Sequence, residues 1–132
     1  MSVGPGKRRT GASALTVCVA SACLAGCGDR GPESGPGVLT ATVESPNRAE
    51  GAAVLQLVGD RILKISPIEG RVFSEHHGDT VLVVVVNDAG GRLRFGVEVT
   101  DTTRRPVGTL LEVAGPDDVI RGLGGYALDI RR

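Results

Sequence analysis

Leu93-Arg94-Phe95-Gly96-Val97-Glu98-Val99 is the stretch whose reading decides the fold. Side chains of an extended chain alternate between two faces, so Leu93, Phe95, Val97 and Val99 share one side while Arg92, Arg94 and Glu98 share the other. The segment therefore predicts a strand with one face in a core and one in water. Just ahead of it, Thr80 to Val86 is β-branched or leucine throughout, which predicts a central strand covered on both faces. Asn87-Asp88-Ala89-Gly90-Gly91 lies between them and reads as a turn, since these residue types tolerate the positive φ of tight turns.

The same period of two extends in both directions. Leu39, Ala41 and Val43 share a face, with Thr40 and Thr42 turned away; Ala53, Leu55 and Leu57 repeat the pattern around Gln56. Ile62-Leu63-Lys64-Ile65 and Val72-Phe73-Ser74 predict shorter strands. Thr109 to Val113 and Tyr126 to Ile130 complete the set, and Gly115 to Arg121 between them predicts one helical turn capped by Asp117. About eight strands with breaks at short intervals predict an all-β fold over residues 38–132. The form expected is an antiparallel β-sandwich, immunoglobulin-like or jelly-roll-like, with the last strand near the first. The run Ala53-Val54-Leu55-Gln56-Leu57, then Gly70-Arg71-Val72-Phe73, then the apolar strand leading to Leu93-Arg94-Phe95-Gly96-Val97 is loosely similar to cohesin-like sandwich domains. That likeness implies an architecture and no function.

The N-terminal segment has a different character. Lys7, Arg8 and Arg9 precede an uncharged run from Thr10 to Gly26, the layout of a secretory signal. The run is shorter than the roughly 20 residues of a spanning helix and is rich in small residues. It closes on Leu24-Ala25-Gly26-Cys27, which resembles the lipobox of bacterial lipoproteins. The resemblance implies that Leu24, Ala25 and Gly26 are recognised by a signal peptidase and that the Cys27 thiol carries a diacylglyceryl group. Residues 1–26 would then be the signal peptide, and the product would sit in the cell envelope, held to a membrane by lipid on its periplasmic or extracellular side. Each buried methylene contributes about 0.8 kcal/mol, and two or more acyl chains hold a protein stably. Cys18 follows Val17, and Cys23 follows Ala20-Ser21-Ala22 without the leucine, so neither fits the motif. Residues 27–37 would comprise the lipidated cysteine and a flexible Gly- and Pro-rich tether.

Cleavage before Cys27 alters the composition. It removes three basic residues and no acidic one, leaving 12 Lys and Arg against 15 Asp and Glu, a formal charge of −3. That balance excludes the strongly basic surface of a nucleic-acid binder. It also leaves no pair of free thiols for a disulfide. The aromatic residues are Phe73, Phe95 and Tyr126, all expected to be buried in strands, so no stacking platform for sugars or bases is expected.

One cluster carries metal-ligand chemistry: Glu75-His76-His77-Gly78-Asp79. Neighbouring histidines on a strand point apart, so His76, His77 and Asp79 could converge on a metal only from a loop; a solvated turn is the more economical reading. Asp117-Asp118 with Glu112 lacks the spacing of a calcium loop. None of Ser34, Ser45, Ser66 or Ser74 lies in a nucleophile elbow, and Arg104-Arg105-Pro106 is a local basic spot. The reading that follows is a non-catalytic module, with no cofactor beyond the lipid, that binds or scaffolds an envelope protein. The competing reading is a metal-dependent envelope sensor or enzyme built on Glu75, His76, His77 and Asp79.

Overall fold

A computed structural model describes residue 4, residue 31, and residues 33–59 and 61–132. Cys27 and Leu24-Ala25-Gly26 lie outside the described residues. Among the described residues nine strands follow one another: β1 (Gly37–Glu44), β2 (Glu50–Val58), β3 (Ile62–Pro67), β4 (Arg71–His77), β5 (Thr80–Gly91), β6 (Leu93–Val99), β7 (Val107–Ala114), β8 (Ile120–Arg121) and β9 (Ala127–Arg131). They form a four-stranded sheet in the order β3-β6-β1-β9 and a five-stranded sheet in the order β4-β5-β2-β7-β8, packed as an antiparallel β-sandwich.

The core is what the alternation dictates. Leu39, Ala41 and Val43 of β1 and Leu93, Phe95, Val97 and Val99 of β6 turn inward from one sheet. From the other come Ala53, Leu55 and Leu57 of β2, Val81, Val83 and Val85 of β5, and Val113 of β7. Almost every one of these side chains is closed to solvent, so each valine, leucine or phenylalanine contributes about 1.5–3 kcal/mol of burial and the alanines less. Leu128 also reaches in, and Gly108 of β7 makes room for it: any β-carbon there would collide with the Leu128 side chain. β9 pairs with β1 from Thr40↔Arg131 to Glu44↔Ala127, which brings last strand beside first as expected.

Several local expectations are corrected. β5 is covered on one face only: Val81, Val83 and Val85 are buried, whereas Leu82, Val84 and Val86 are half-exposed on the outer side. Residues 87–91 do not close a hairpin. The strand continues through them to Gly91, opposite Glu50, and bends at Gly90 (φ 72°) to deliver the chain to the other sheet. Glu75-His76-His77 is strand, not loop, in unbroken register with β5 through His77↔Thr80. Gly115 to Arg121 holds a hairpin turn instead of a helix. Gly115 N–H donates to Val119 O (2.9 Å), and the Asp117 carboxylate accepts from Val119 N–H (3.3 Å), the Asx-turn use of the residue expected to cap a helix. Phe73 is 56 % exposed, contrary to expectation.

At the end of the sandwich where β1 begins, Thr102 N–H donates to Gly35 O (2.9 Å) and Arg132 Nη1 to Glu33 O (3.3 Å). The last residues before β1 are thereby laid against the β6–β7 loop and the C-terminus.

Candidate binding surface

Each sheet has an outer face, and the pleat decides what it carries. On the four-stranded sheet the outward residues of β1 are Val38, Thr40, Thr42 and Glu44, flanked by Arg94 and Glu98 of β6 and by Asp129 and Arg131 of β9. Thr42 stands between Arg94 and Asp129, and Thr40 lies beside Arg131. The charges are paired along this surface: Arg94 Nη1 lies 3.3 Å from Glu69 Oε1, and Arg131 Nε 2.5 Å from Asp129 Oδ2.

The five-stranded sheet is different. One row runs Phe73–Val84–Val54–Glu112 across β4, β5, β2 and β7, and the next runs Glu75–Leu82–Gln56–Thr109. Val86 continues the apolar surface on one side, while Val58 and Val107 (70 % exposed) continue it on the other. Leu111, the extra residue where the β2–β7 register slips, adds a further exposed apolar side chain. Phe73, Ser74, Glu75, Leu82 and Val84 line a shallow groove at the β4 side. An aliphatic outer face rimmed by polar groups is the composition of a binding surface and adds nothing to the monomer's core.

The histidine cluster resolves by strand geometry. Glu75 and His77 are two apart on β4 and share the outer face, with His77 Nε2 3.2 Å from Glu75 Oε1. His76 points to the opposite side of the strand. Asp79 follows in the turn, where its carbonyl accepts from Gly59 N–H (3.1 Å). No group of three or more His, Cys, Asp or Glu side chains among the described residues is placed to hold a metal ion. Asp117, Asp118 and Glu112 do not converge either: Asp117 turns to Arg121, at 3.9 Å, and Glu112 stands on the outer face of β7. Arg104 lies 4.0 Å from Asp101 in the β6–β7 loop, and Pro106 beside it is buried.

A polar constellation unremarked in the sequence closes the other end of the sandwich. Glu50, 1 % exposed at the head of β2, accepts hydrogen bonds from Ser45 Oγ and Tyr126 Oη, each 2.5 Å from its Oε1. Asn47 Nδ2 donates to Tyr126 Oη (2.9 Å) and Arg121 Nε donates to Glu50 Oε2 (3.0 Å). Burial pushes the Glu50 carboxyl upward, but the bonds from Ser45, Tyr126 and Asn47, with the Arg121 charge, outweigh it and hold the group below its ordinary value. Every buried side-chain polar atom among the described residues has a partner. Both Glu50 oxygens are engaged by these partners, and the constellation is a clasp joining the β1–β2 turn, β8 and the approach to β9.

Comparison with protein-family models, with curated proteins and with solved structures finds no match.

Proposed function

We propose that this chain is a lipid-anchored module of the bacterial cell envelope that binds or scaffolds another envelope protein and catalyses no reaction. The observation that carries the binding half is the aliphatic outer face of the five-stranded sheet, centred on the row Phe73–Val84–Val54. Burial of such a surface contributes about 25 cal/mol for each Å² removed from water, and a protein surface is the occupant that fits an open, nearly flat face. The anchoring half rests on the lipobox resemblance at Leu24-Ala25-Gly26-Cys27, with diacylglycerol on Cys27; the spacer between lipid and domain is shorter than the 27–37 tether expected from sequence, because Glu33 and Gly35 bond to the domain and Gly37 begins β1. Only the β4–β5 and β7–β8 connections stay within one sheet, which agrees with an immunoglobulin-like or jelly-roll-like winding.

Two measurements test the halves separately. Metabolic labelling with a tagged fatty acid should mark the full chain and not its Cys27→Ala variant; equal labelling of both removes the anchor. Crosslinking in intact cells, with a photoreactive residue at position 84, should trap a recurrent envelope protein, while the same residue at Thr42 on the other sheet should trap none. Failure to recover any recurrent protein from position 84 across growth conditions removes the binding role and leaves the anchor standing.

A further inference from the structure

The sandwich has four sheet edges, and three carry protection against pairing with another chain. β3 slips register between Ile62 and Lys64 and ends on Pro67, which has no N–H to offer. β8 is two residues long. β9 is only five. β4 differs: seven residues, no proline, and a register with β5 that runs without a bulge from Arg71↔Val86 to His77↔Thr80. Its outer edge is a regular row of unpaired backbone donors and acceptors.

Phe73 sits near the middle of that edge. It is the exposed member of a chain with only three aromatic residues, since Phe95 is fully buried and Tyr126 is engaged with Glu50. An exposed aromatic at the centre of an unprotected strand has the character of an interface anchor.

We propose that two copies of this chain join through β4, antiparallel about a two-fold axis perpendicular to the sheet, with Phe73 on the axis. The charge pattern of the strand selects the occupant and the register. A perpendicular two-fold keeps both outer faces on one side, so Arg71, Phe73, Glu75 and His77 of one copy oppose residues of the same set in the other. With Ser74 on the axis, Arg71 opposes His77 and Phe73 opposes Glu75. With Val72 on the axis, Arg71 opposes Phe73. With Phe73 on the axis, the two Phe73 rings meet, and Arg71 opposes Glu75 of the second copy at both ends. Arg71 and Glu75 have side chains 60 % and 69 % exposed; within one copy Arg71 donates to Asp88 (2.9 Å) and Glu75 lies 3.2 Å from His77, so pairing across the seam shares or exchanges these solvent-exposed partners. Such opposite-charge and aromatic cross-strand pairs are the stabilising unit of a sheet. The five-stranded sheets would become one of ten strands, and the two aliphatic faces one continuous surface. This dimer requires neither the lipid anchor nor an envelope partner.

The test uses the full chain in cell membranes. Under mild oxidation, Phe73→Cys should give a disulfide-linked dimer, whereas Leu111→Cys, exposed on the same face but distant from the edge, should give none beyond the wild-type background. Charge reversal then reads the register. Arg71→Glu alone and Glu75→Arg alone should each weaken self-association by about tenfold or more, because each sets like charges against one another. Mixed together under different tags, the two variants should co-purify, because the glutamate at position 71 of one then faces the arginine at position 75 of the other. Equal crosslinking of Phe73→Cys and Leu111→Cys overturns the proposal, as does failure of the two folded reversal variants to pair. If a reversal variant does not fold, the cysteine comparison decides by itself.

Discussion

The two outer faces of this sandwich were built by the same rule and came out chemically opposite. Both sheets bury an aliphatic inner face. Yet the four-stranded sheet shows water mainly Thr40, Thr42, Arg94, Glu98, Asp129 and Arg131, with Val38 at one end, while the five-stranded sheet shows it an apolar band of Phe73, Leu82, Val84, Val54 and Val86 bordered by Glu75, Gln56, Thr109 and Glu112. Folding needs only the inner faces to be apolar. A second apolar face brings no core and carries an aggregation hazard, so its chemistry must answer to something outside the monomer. The threonine and arginine face sets the reference for what this chain does with a sheet that stays wet.

That contrast can be broken most severely from inside. Phe95→Ala, which empties the shared core, should cost about 3–5 kcal/mol of unfolding free energy in urea, whereas Phe73→Ala should cost less than about 1 kcal/mol. Similar losses from both would mean that Phe73 is covered within the monomer. Next in size is the Glu50 clasp. Glu50→Ala leaves Arg121 with only the more distant Asp117 (3.9 Å) and frees the β8 end; the expected cost is about 3 kcal/mol. Because hydrogen bonds and Arg121 hold the folded pKa below the unfolded value, the clasp contributes fully above about pH 4.3 and is lost as pH falls through the lower folded value. Glu50→Gln should therefore flatten the acid limb of the stability curve, and an unchanged limb would show that other carboxylates dominate it.

Smaller effects probe the faces directly. Val54→Lys, next to position 84 in the same row, should abolish crosslinking from position 84 while changing stability by about 1 kcal/mol or less, and Thr42→Lys should leave that crosslinking untouched. Equal effects of the two on crosslinking would erase the distinction between the faces. Smallest of all, Arg94→Ala removes a part-exposed pair with Glu69 and should cost about 0–1 kcal/mol, vanishing at high salt in thermal melts.

Why some of this was legible in the sequence and some was not follows from how each element is covered. The interior strands β1, β2 and β6 announce themselves because packing on one side and water on the other enforce alternation. β5 carries valine or leucine on both faces, so its sequence implied a second layer of cover that the fold does not supply. β4 has a neighbour on one edge only and contributes little to the core, so nothing forces Glu75-His76-His77 to alternate, and its length was missed. Val72 and Phe73 compete for the inner side at adjacent positions; Val72, opposite buried Val85, takes it and leaves Phe73 outside. The Asp117 error has another origin. A short carboxylate accepting a nearby backbone N–H serves a helix cap and an Asx turn equally well, and only the β7–β8 pairing decides between them. Glu50 was beyond reach because its partners Ser45, Arg121 and Tyr126 are separated by up to 76 positions, and no spacing rule links them.

The placement of β1 has a mechanical consequence. β1 lies between two antiparallel neighbours, seven residue pairs with β6 and five with β9, and the chain ahead of it enters at Gly37. A pull transmitted along that incoming segment acts lengthwise on the strand. Ladder bonds run across the strand axis, so both rows are loaded together in shear and none can peel away first. A domain held in this manner yields only when many bonds fail at once.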